Sequence, residues 1–225
     1  MIDLQGVAYS YSGRELFSDV TLSLEPGSFH FLTGPSGAGK TTFLKLCYME
    51  LQATSGRVNV FGRDPRDMTR DDIAKNRARI GIVHQDCQFL DHLPLVENVA
   101  LPLTVSGKDP DSATEDLKSL LSWVGLSEQA NRRPPELSGG ERQRAALARA
   151  VINAPDIILA DEPTGNVDWE MSQRLLSLLV ELNKMGTAIM VATHDMNLIR
   201  MAKKQVSTRT LRIADRTLVS AGADL

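Results

Sequence analysis

The feature that most constrains the fold is a glycine-rich segment between two apolar stretches of different periodicity. The segment consists of Gly34, Pro35, Ser36, Gly37, Ala38, Gly39, Lys40, Thr41 and Thr42. Residues 28–33 before it have the length and composition of a buried strand, and residues 40–51 carry apolar side chains at helical spacing. A strand, a tight glycine loop and a helix in this order predict an α/β fold.

The composition of this loop predicts that it binds phosphate. Glycines let the backbone pass close to an anion, so that several N–H groups point inward, and the following helix directs its positive end at the same point. In the G-x-x-x-x-G-K-[ST] pattern, Lys40 is placed to reach the β- and γ-phosphates and the Thr41 hydroxyl to ligate Mg²⁺. The alternative is a chance glycine-rich turn, which would not require a strand before it and a helix after it.

An apolar run that ends in two acids indicates a second part of the same site. Residues 157–160 are all apolar, which suits a central strand buried on both faces, and Asp161 and Glu162 follow. Ligand sites of such sheets lie beyond the carboxyl ends of the strands, so Asp161 is predicted to hold Mg²⁺. Glu162 is predicted to polarise the attacking water as a general base, which typically contributes about 10²- to 10⁴-fold. Two surface acids at a solvated strand end are the alternative.

The pattern along the rest of the chain predicts one domain with an insertion. Residues 86–154 have mainly helical character, and a strand–helix–strand unit over residues 157–193 implies a parallel sheet with a right-handed crossover. With 225 residues, of which 42% are hydrophobic, the chain can bury a full core. We therefore expect a single domain over residues 1–225, with a core of residues 1–85 and 155–225 and a helical subdomain of residues 86–154.

Charge and hydropathy argue against two classes of direct partner. The 25 basic and 28 acidic side chains give a net charge of −3, so we expect no general attraction for nucleic acid. No apolar run approaches the roughly 20 residues needed to cross a bilayer, and the first residues do not resemble a signal peptide, so we expect no direct membrane insertion. Cys47 and Cys87 fit no metal or redox spacing and are predicted to be reduced thiols of a cytosolic protein.

A second glycine cluster opens another predicted helix. In the run LSGGERQR, residues 137–144, Ser138 is a good N-cap and Glu141 completes a capping box, which alone would explain a well-formed helix start. Small residues at a helix N-terminus also leave N–H donors free, so Ser138, Gly139 and Gly140 form a candidate second anion site. In a head-to-tail homodimer, the start of this helix in one chain would contact the nucleotide bound by the phosphate loop of the other chain. The sequence alone leaves open whether the two ends meet in this way.

Three runs in a fixed order resemble the ATP-binding cassette (ABC) superfamily over essentially the whole chain. They are the phosphate loop, LSGGERQR at residues 137–144 and LADEPTGNVD at residues 159–168. The resemblance implies a P-loop NTPase domain with a RecA-like parallel-sheet core, an antiparallel β subdomain and an inserted helical subdomain. It also implies an ATPase that uses ATP and Mg²⁺ and dimerises on ATP. The nearest run to a guanine-specific Asn-Lys-x-Asp pattern, residues 183–186, lacks the acid, which favours ATP.

The resemblance also implies roles for single residues. Gln85 resembles the glutamine that contacts Mg²⁺ and links the core to the helical subdomain, Asp168 the dimer-contact aspartate, and His194 the switch histidine that senses the γ-phosphate. The alternative for a lone histidine is a structural role. Tyr11 precedes the phosphate loop at the distance of the superfamily's adenine-stacking aromatic, with Tyr9 as its rival.

Within the superfamily, residues 31–40, 98–103 and 192–199 resemble the FtsE family of bacterial cell-division ATPases. This implies an FtsX-like integral membrane partner, control of septal peptidoglycan hydrolysis, and a peripheral location on the cytoplasmic face of the bacterial inner membrane, at the division septum. One alternative is the ATPase subunit of a lipoprotein-release or MacB-type transporter. The other is an ATP-dependent dimerising scaffold with little hydrolysis, against which Glu162 and His194 argue.

The expected docking surface for such a partner is a groove near residues 85–94. Phe89, Leu90 and Leu93 are candidates to hold a coupling helix, and the alternative is that they pack inside the helical subdomain. His84, immediately before Gln85, departs from the aromatic or aliphatic residue usual there. This departure leaves the predicted ATP site unchanged.

Overall fold

The computed structural model describes residues 1–11, 13–165 and 167–221, so that Asn166 of the 159–168 run lies outside the described residues. The strands and helices follow one another in an α/β order. They are β1 (Ile2–Tyr11), β2 (Arg14–Leu24), β3 (Phe29–Thr33), α1 (Lys40–Cys47), β4 (Ser55–Val60), α2 (Arg70–Arg77), β5 (Ile80–Val83), α3 (Leu95–Val105), α4 (Thr114–Trp123), α5 (Gly139–Val151), β6 (Ile157–Asp161), α6 (Trp169–Lys184), β7 (Ala188–Ala192), α7 (Met196–Lys203), β8 (Arg209–Ala214) and β9 (Thr217–Ser220).

A six-stranded sheet forms the centre of the fold. Its strand order is β5-β6-β7-β3-β8-β9, and every neighbouring pair is parallel except the last, β8 with β9. All residues of β3, β6 and β7 are buried, as their apolar runs predict for strands covered on both faces. Because β6 and β7 are adjacent and parallel and α6 connects them, the predicted strand–helix–strand unit is confirmed.

A second, antiparallel sheet of order β2-β1-β4 packs against one side of the central sheet. Its apolar side chains share one core cluster with α1 and with alternate residues of the central strands. The two sheets also meet through a backbone hydrogen bond of 2.8 Å from Ser18 N to Arg216 O. The antiparallel β subdomain expected beside a parallel core is therefore present.

Helices α3, α4 and α5 lie between β5 and β6 in the chain and have a small core of their own. Its members are the buried side chains of Leu95, Val99, Ala100, Leu117, Leu121, Val124, Leu126, Leu137, Ala145 and Ala148. Helix α5 also turns Ala146 and Leu147 towards the central sheet, so it belongs to both cores. The fold class is confirmed, whereas the limits of the helical subdomain at residues 86 and 154 stay a prediction.

The structure corrects one local prediction and adds two helices for which no prediction was made. The first helix ends at Cys47 rather than at Leu51, because Met49 takes a left-handed conformation with φ 64°. Helix α2 was missed because it buries none of its residues; a capping box between Thr69 and Asp72 begins it instead of an apolar face. Helix α7 was also missed, although the Asp195 carboxylate caps its first turn.

Candidate functional site

The glycine-rich loop leaves β3 and ends at Gly39, the N-cap of α1. Gly39 has φ 97°, and a Cβ atom there would lie 2.7 Å from the ring carbon Cζ of Phe17. Only glycine fits both the conformation and the space. Among the residues that the structure describes, no side chain caps the start of α1, so the first N–H groups of this helix remain available to a ligand.

Lys40 folds back over the loop that precedes it. Its Nζ donates hydrogen bonds to the carbonyl oxygens of Gly34, at 3.0 Å, and Pro35, at 3.3 Å. The ammonium group therefore stands above the inward-facing backbone of the loop. An anion held there would meet a full positive charge as well as the partial charges of the amides.

Thr41 and Asp161 bring two hard oxygen ligands together. The Thr41 hydroxyl donates to Asp161 Oδ2 at 2.5 Å, although the residues are far apart in the chain. Burial, and secondarily the charge of Glu162, raise the pKa of the Asp161 carboxyl, whereas the Thr41 hydrogen bond and Lys40 oppose this shift. Oxygen donors of this kind suit Mg²⁺, which is usually bound by one or two protein groups and by substrate phosphates. Within the described ranges, no group of three or more His, Cys, Asp or Glu side chains forms an all-protein metal cage.

Glu162 stands at the carboxyl end of β6 in a strained conformation. Its φ is 48°, in the left-handed region that non-glycine residues rarely occupy, and its N–H donates to Ala192 O at 2.8 Å. Its carboxylate accepts a hydrogen bond from the Thr193 hydroxyl at 3.1 Å and lies 2.8 Å from His194 Nδ1. Because β6 and β7 are neighbours, the ends of these strands bring the acid and the histidine into contact.

One cavity of about 800 Å³ collects most of the predicted site residues. It is lined by Leu16, Gly34, Pro35, Ser36, Gly37, Gly39, Lys40, Thr41, Thr42, Gln85, Asp161, Glu162, Gly165 and His194. Two of these, Leu16 and Gly165, were not among the predicted site residues. Leu16 comes from β2 of the other sheet, and no local pattern marks it.

Other predicted residues do not line this cavity. Ala38 lines a neighbouring cavity of about 410 Å³. Ser138, Gly139 and Gly140 begin α5 elsewhere on the surface, and Asp168 caps α6 by accepting a hydrogen bond from Met171 N at 2.8 Å.

The predicted capping box at Ser138 is present. Glu141 Oε2 accepts hydrogen bonds from Ser138 N at 2.7 Å and from its hydroxyl at 2.8 Å. Ser138 and Gly139 are exposed, and Gly140 is half-buried. The helix start is thus well formed, and its surface is open to another molecule.

The two candidate tyrosines differ sharply in exposure. Tyr9 is buried in the core shared by the two sheets, whereas Tyr11 is 71% exposed. A buried ring cannot stack on a ligand base, so only Tyr11 remains a candidate for adenine stacking.

A second cavity, of about 510 Å³, lies between the central sheet and α3. We call it the lateral groove; it is lined by Ala74, Arg77, Ala78, Ile80, Gly81, Ile82, His84, Gln88, Leu101, Pro102, Val105, Arg149, Ala150, Asn153 and Pro155. Phe89, Leu90 and Leu93 do not line it. Phe89 instead packs against the cores, with the Arg149 guanidinium 4.4 Å from its ring centroid, and Leu90 N donates to Asn98 Oδ1.

Comparisons with known proteins agree with this geometry. The ABC transporter family matches residues 17–165. The cell division ATP-binding protein FtsE of Bacillus subtilis is 37% identical over 92% of this chain and 91% of its own length, and FtsE of Escherichia coli K12 is 40% identical over 96% of each. The dimeric, post-hydrolysis structure of the ATP-binding cassette MJ0796 bound to ADP and Pi superposes with a TM-score of 0.89, at 31% identity and over 98% of each chain.

No helix in the described part of the chain combines the length and the apolarity that a membrane span requires. The matched family covers most of the chain, and the cavity unites the phosphate loop, the acidic strand end and the histidine that the family pattern predicts. The chain therefore belongs to the ABC transporter family of ATP-binding proteins, resembles the cell-division protein FtsE within it, and is an ATPase.

Proposed function

We propose that this chain is the ATP-hydrolysing subunit of a bacterial cell-division complex. Two copies close around ATP and drive an FtsX-like integral membrane partner that controls septal peptidoglycan hydrolysis. The observation that carries the proposal is the similarity to FtsE proteins over more than nine-tenths of the chain. The chain then works at the cytoplasmic face of the inner membrane, as a peripheral subunit at the septum.

The residues of the large cavity fit ATP and Mg²⁺. The loop from Gly34 to Thr42 and the Lys40 ammonium bind the phosphates. Tyr11, which does not line this cavity, stacks on the adenine from outside it. Thr41, Asp161 and Gln85 supply oxygen ligands for Mg²⁺. When bound, this ion neutralises charge that develops on the phosphate oxygens.

Glu162 is the proposed general base. Its carboxylate takes a proton from a water molecule whose oxygen attacks the γ-phosphorus, and ADP leaves. His194, which contacts Glu162 Oε1 at 2.8 Å, orients that carboxylate. The His194 side chain is 79% exposed, so its ring remains accessible to a γ-phosphate.

A Glu162→Gln variant tests this assignment. It keeps the shape of the side chain and cannot accept the proton, so it should retain ATP, lose turnover and accumulate as a dimer in light scattering. Glu115→Gln, on an exposed face of α4, is the matched control and should hydrolyse ATP normally. Normal turnover by Glu162→Gln would refute the role of Glu162.

The exposed start of α5 supports a site completed by a second copy. The cavity of the same chain is not lined by Ser138, Gly139 or Gly140. We propose that these residues contact the nucleotide bound by the partner copy, and that Asp168 also lies at this dimer contact. A mixture of Lys40→Ala and Ser138→Arg chains tests this proposal. In a mixed dimer, one of the two composite pockets is built from an unchanged Lys40 and an unchanged Ser138, so the mixture should regain ATPase activity. Folded single variants that pair but regain no activity on mixing would exclude the shared pocket.

The lateral groove is the proposed docking surface for the membrane partner. Its walls are largely apolar, and Val105 on its rim is 79% exposed. An amphipathic cytoplasmic helix of the partner would bury these side chains. Val105→Asp should therefore abolish co-purification with the membrane subunit and leave the ATPase of the isolated chain intact. Met185→Asp, at an equally exposed methionine outside the groove, is the control.

Co-purification from detergent-solubilised membranes distinguishes the proposed system from a transporter. Recovery of an FtsX-like subunit supports cell division, and recovery of a lipoprotein-release or MacB-type subunit refutes it. Depletion of the chain should give filamentous, septation-defective cells.

A further inference from the structure

A buried amide joins two loops of the catalytic cavity. Gln143 lies in the second turn of α5 and is 1% exposed. Its Nε2 donates a hydrogen bond to the backbone oxygen of Glu162 at 3.3 Å, and its Oε1 accepts one from the Cys87 thiol at 3.2 Å. One side chain of α5 therefore touches both the segment that carries the proposed base and the segment that carries Gln85.

The Cys87 contact lies in the turn that follows Gln85. Cys87 has φ 52°, its N–H donates to His84 O at 3.1 Å, and its sulfur also lies 3.9 Å from Gln85 O. Arg149, six residues further along α5, donates to Gln88 O at 2.7 Å and to Cys87 O at 3.4 Å. This turn is thus attached to α5 at two points, and one of them is the Gln143 amide.

The Glu162 contact lies at the strained residue itself. The oxygen that accepts the Gln143 hydrogen bond also accepts one from Gly165 N at 3.1 Å. A left-handed glutamate persists only where its surroundings hold it, and the orientation of its carboxylate follows from its backbone. The Gln143 amide is one of the groups that hold this backbone.

We propose that Gln143 is a positioning residue that couples α5 to the alignment of Glu162 and the Gln85 turn. Helix α5 has 13 residues and is capped by Ser138 at its exposed N-terminal end. In this proposal, contact of another molecule with that end displaces the helix as a unit. Such a displacement moves the amide and, with it, both loops. This inference rests on the proposed roles of Glu162 and Gln85.

A purely structural role for Gln143 predicts different kinetics. A purely structural amide lowers stability when it is removed, because its buried partners lose a hydrogen bond, but it leaves kcat per folded molecule unchanged. Removal of a positioning amide also lowers kcat, because misplacement of a reacting group by about 1 Å lowers turnover by up to about 10²-fold.

The test is Gln143→Met, which keeps the length of the side chain and the helix propensity and removes both hydrogen bonds. We expect kcat per folded molecule to fall by about 10- to 100-fold, while the affinity for ATP changes by less than about twofold. The control is Asn183→Leu. It removes a buried amide that bonds Gly27 O, Ser28 O and Thr187 O at the opposite end of the sheet, so it should lower stability without lowering kcat.

The thiol contact gives an independent measurement. Cys87→Ser retains a donor for the Gln143 oxygen and should keep most of the activity, whereas Cys87→Ala should lose several-fold more in kcat. In the Gln143→Met background, Cys87→Ala should add no further loss, because residues that share one interaction are not additive. If Gln143→Met fails to fold, the comparison of Cys87→Ser with Cys87→Ala still tests the inference.

Three results would overturn the inference: an unchanged kcat in Gln143→Met, an equal loss in Asn183→Leu, or fully additive effects of Cys87→Ala and Gln143→Met. Glu162→Gln separates this outcome from failure of the proposed function. If Glu162→Gln stops hydrolysis but Gln143→Met does not, only the coupling is wrong. If Glu162→Gln hydrolyses ATP normally, the assignment of the base is wrong first.

Discussion

Replacing His30 with leucine should stabilise the protein, and by more at pH 5 than at pH 7. His30 is 1% exposed in the middle of the central sheet, on β3. Among the described residues, neither of its ring nitrogens has a hydrogen-bond partner. Burial, and secondarily the charge of Arg209 on the neighbouring strand, lower the pKa of His30 from 6.5 to about 4.

The magnitude follows from these two observations. At pH 7 the ring is neutral in the folded state and mostly neutral in the unfolded state, and removing unpaired buried polar atoms should add about 1–3 kcal/mol to the free energy of unfolding. Between about pH 6.5 and pH 4, His30 is protonated in the unfolded chain but remains neutral in the folded chain. The free energy of unfolding therefore decreases as the pH falls through this range. Between pH 7 and pH 5 this proton costs the native protein about 1.8 kcal/mol, which His30→Leu should recover.

The assay is urea unfolding of both chains, followed by tryptophan fluorescence at pH 7 and at pH 5. The measured quantity is the difference in unfolding free energy between variant and native chain, in which other titrating groups cancel. The control is His92→Gln, at an exposed histidine. A stability gain of His30→Leu that is the same at both pH values would show that burial does not suppress protonation of His30, and the reasoning would fail.

Three further outcomes are expected. Gly39→Ala should lower ATP affinity by more than about tenfold in equilibrium binding, because alanine is strained at φ 97° and its Cβ would lie 2.7 Å from Phe17 Cζ, so that the loop must shift; unchanged affinity would contradict this. Mg²⁺-dependent binding of a fluorescent ATP analogue should weaken as the pH falls, because burial raises the pKa of the Asp161 carboxyl and a protonated carboxyl binds Mg²⁺ poorly; an unchanged pH dependence in Asp161→Asn would contradict this. Thr69→Ala should lower the unfolding free energy by about 1 kcal/mol in urea, because it removes the cap that Asp72 N contacts at 3.1 Å; no loss would show that α2 does not need its cap.

The sequence by itself determined the parts of the site whose chemistry is local. The phosphate loop needs glycines, one lysine and one threonine at fixed spacing, and these requirements can be read without knowing where the chain goes next. The same is true of the strand before Asp161, because four consecutive apolar residues are compatible with burial on both faces. Capping residues likewise marked the start of α5 at Ser138.

The choice between Tyr9 and Tyr11 needed the tertiary structure. In a regular strand, residues two positions apart share a face, so alternation treats the two tyrosines alike. The pairing of β1 with β2 shifts register between Leu4 and Val7, and again on both sides of Tyr9. Tyr9 nevertheless follows Val7 into the core, while Tyr11, two positions further on, ends the strand in solvent.

Contacts between distant segments were decided by the fold alone. Glu162 meets His194 because β6 and β7 are neighbours, and Gln143 reaches Cys87 because α5 packs beside β5. His30 lies between two phenylalanines in the sequence, which gives no sign that its ring nitrogens lack hydrogen-bond partners. This becomes visible only in the folded sheet, where β3 is buried throughout. The spacing of residues along the chain indicates the local backbone conformation of a segment. Which side chains come into contact in the interior depends on how all the segments pack together.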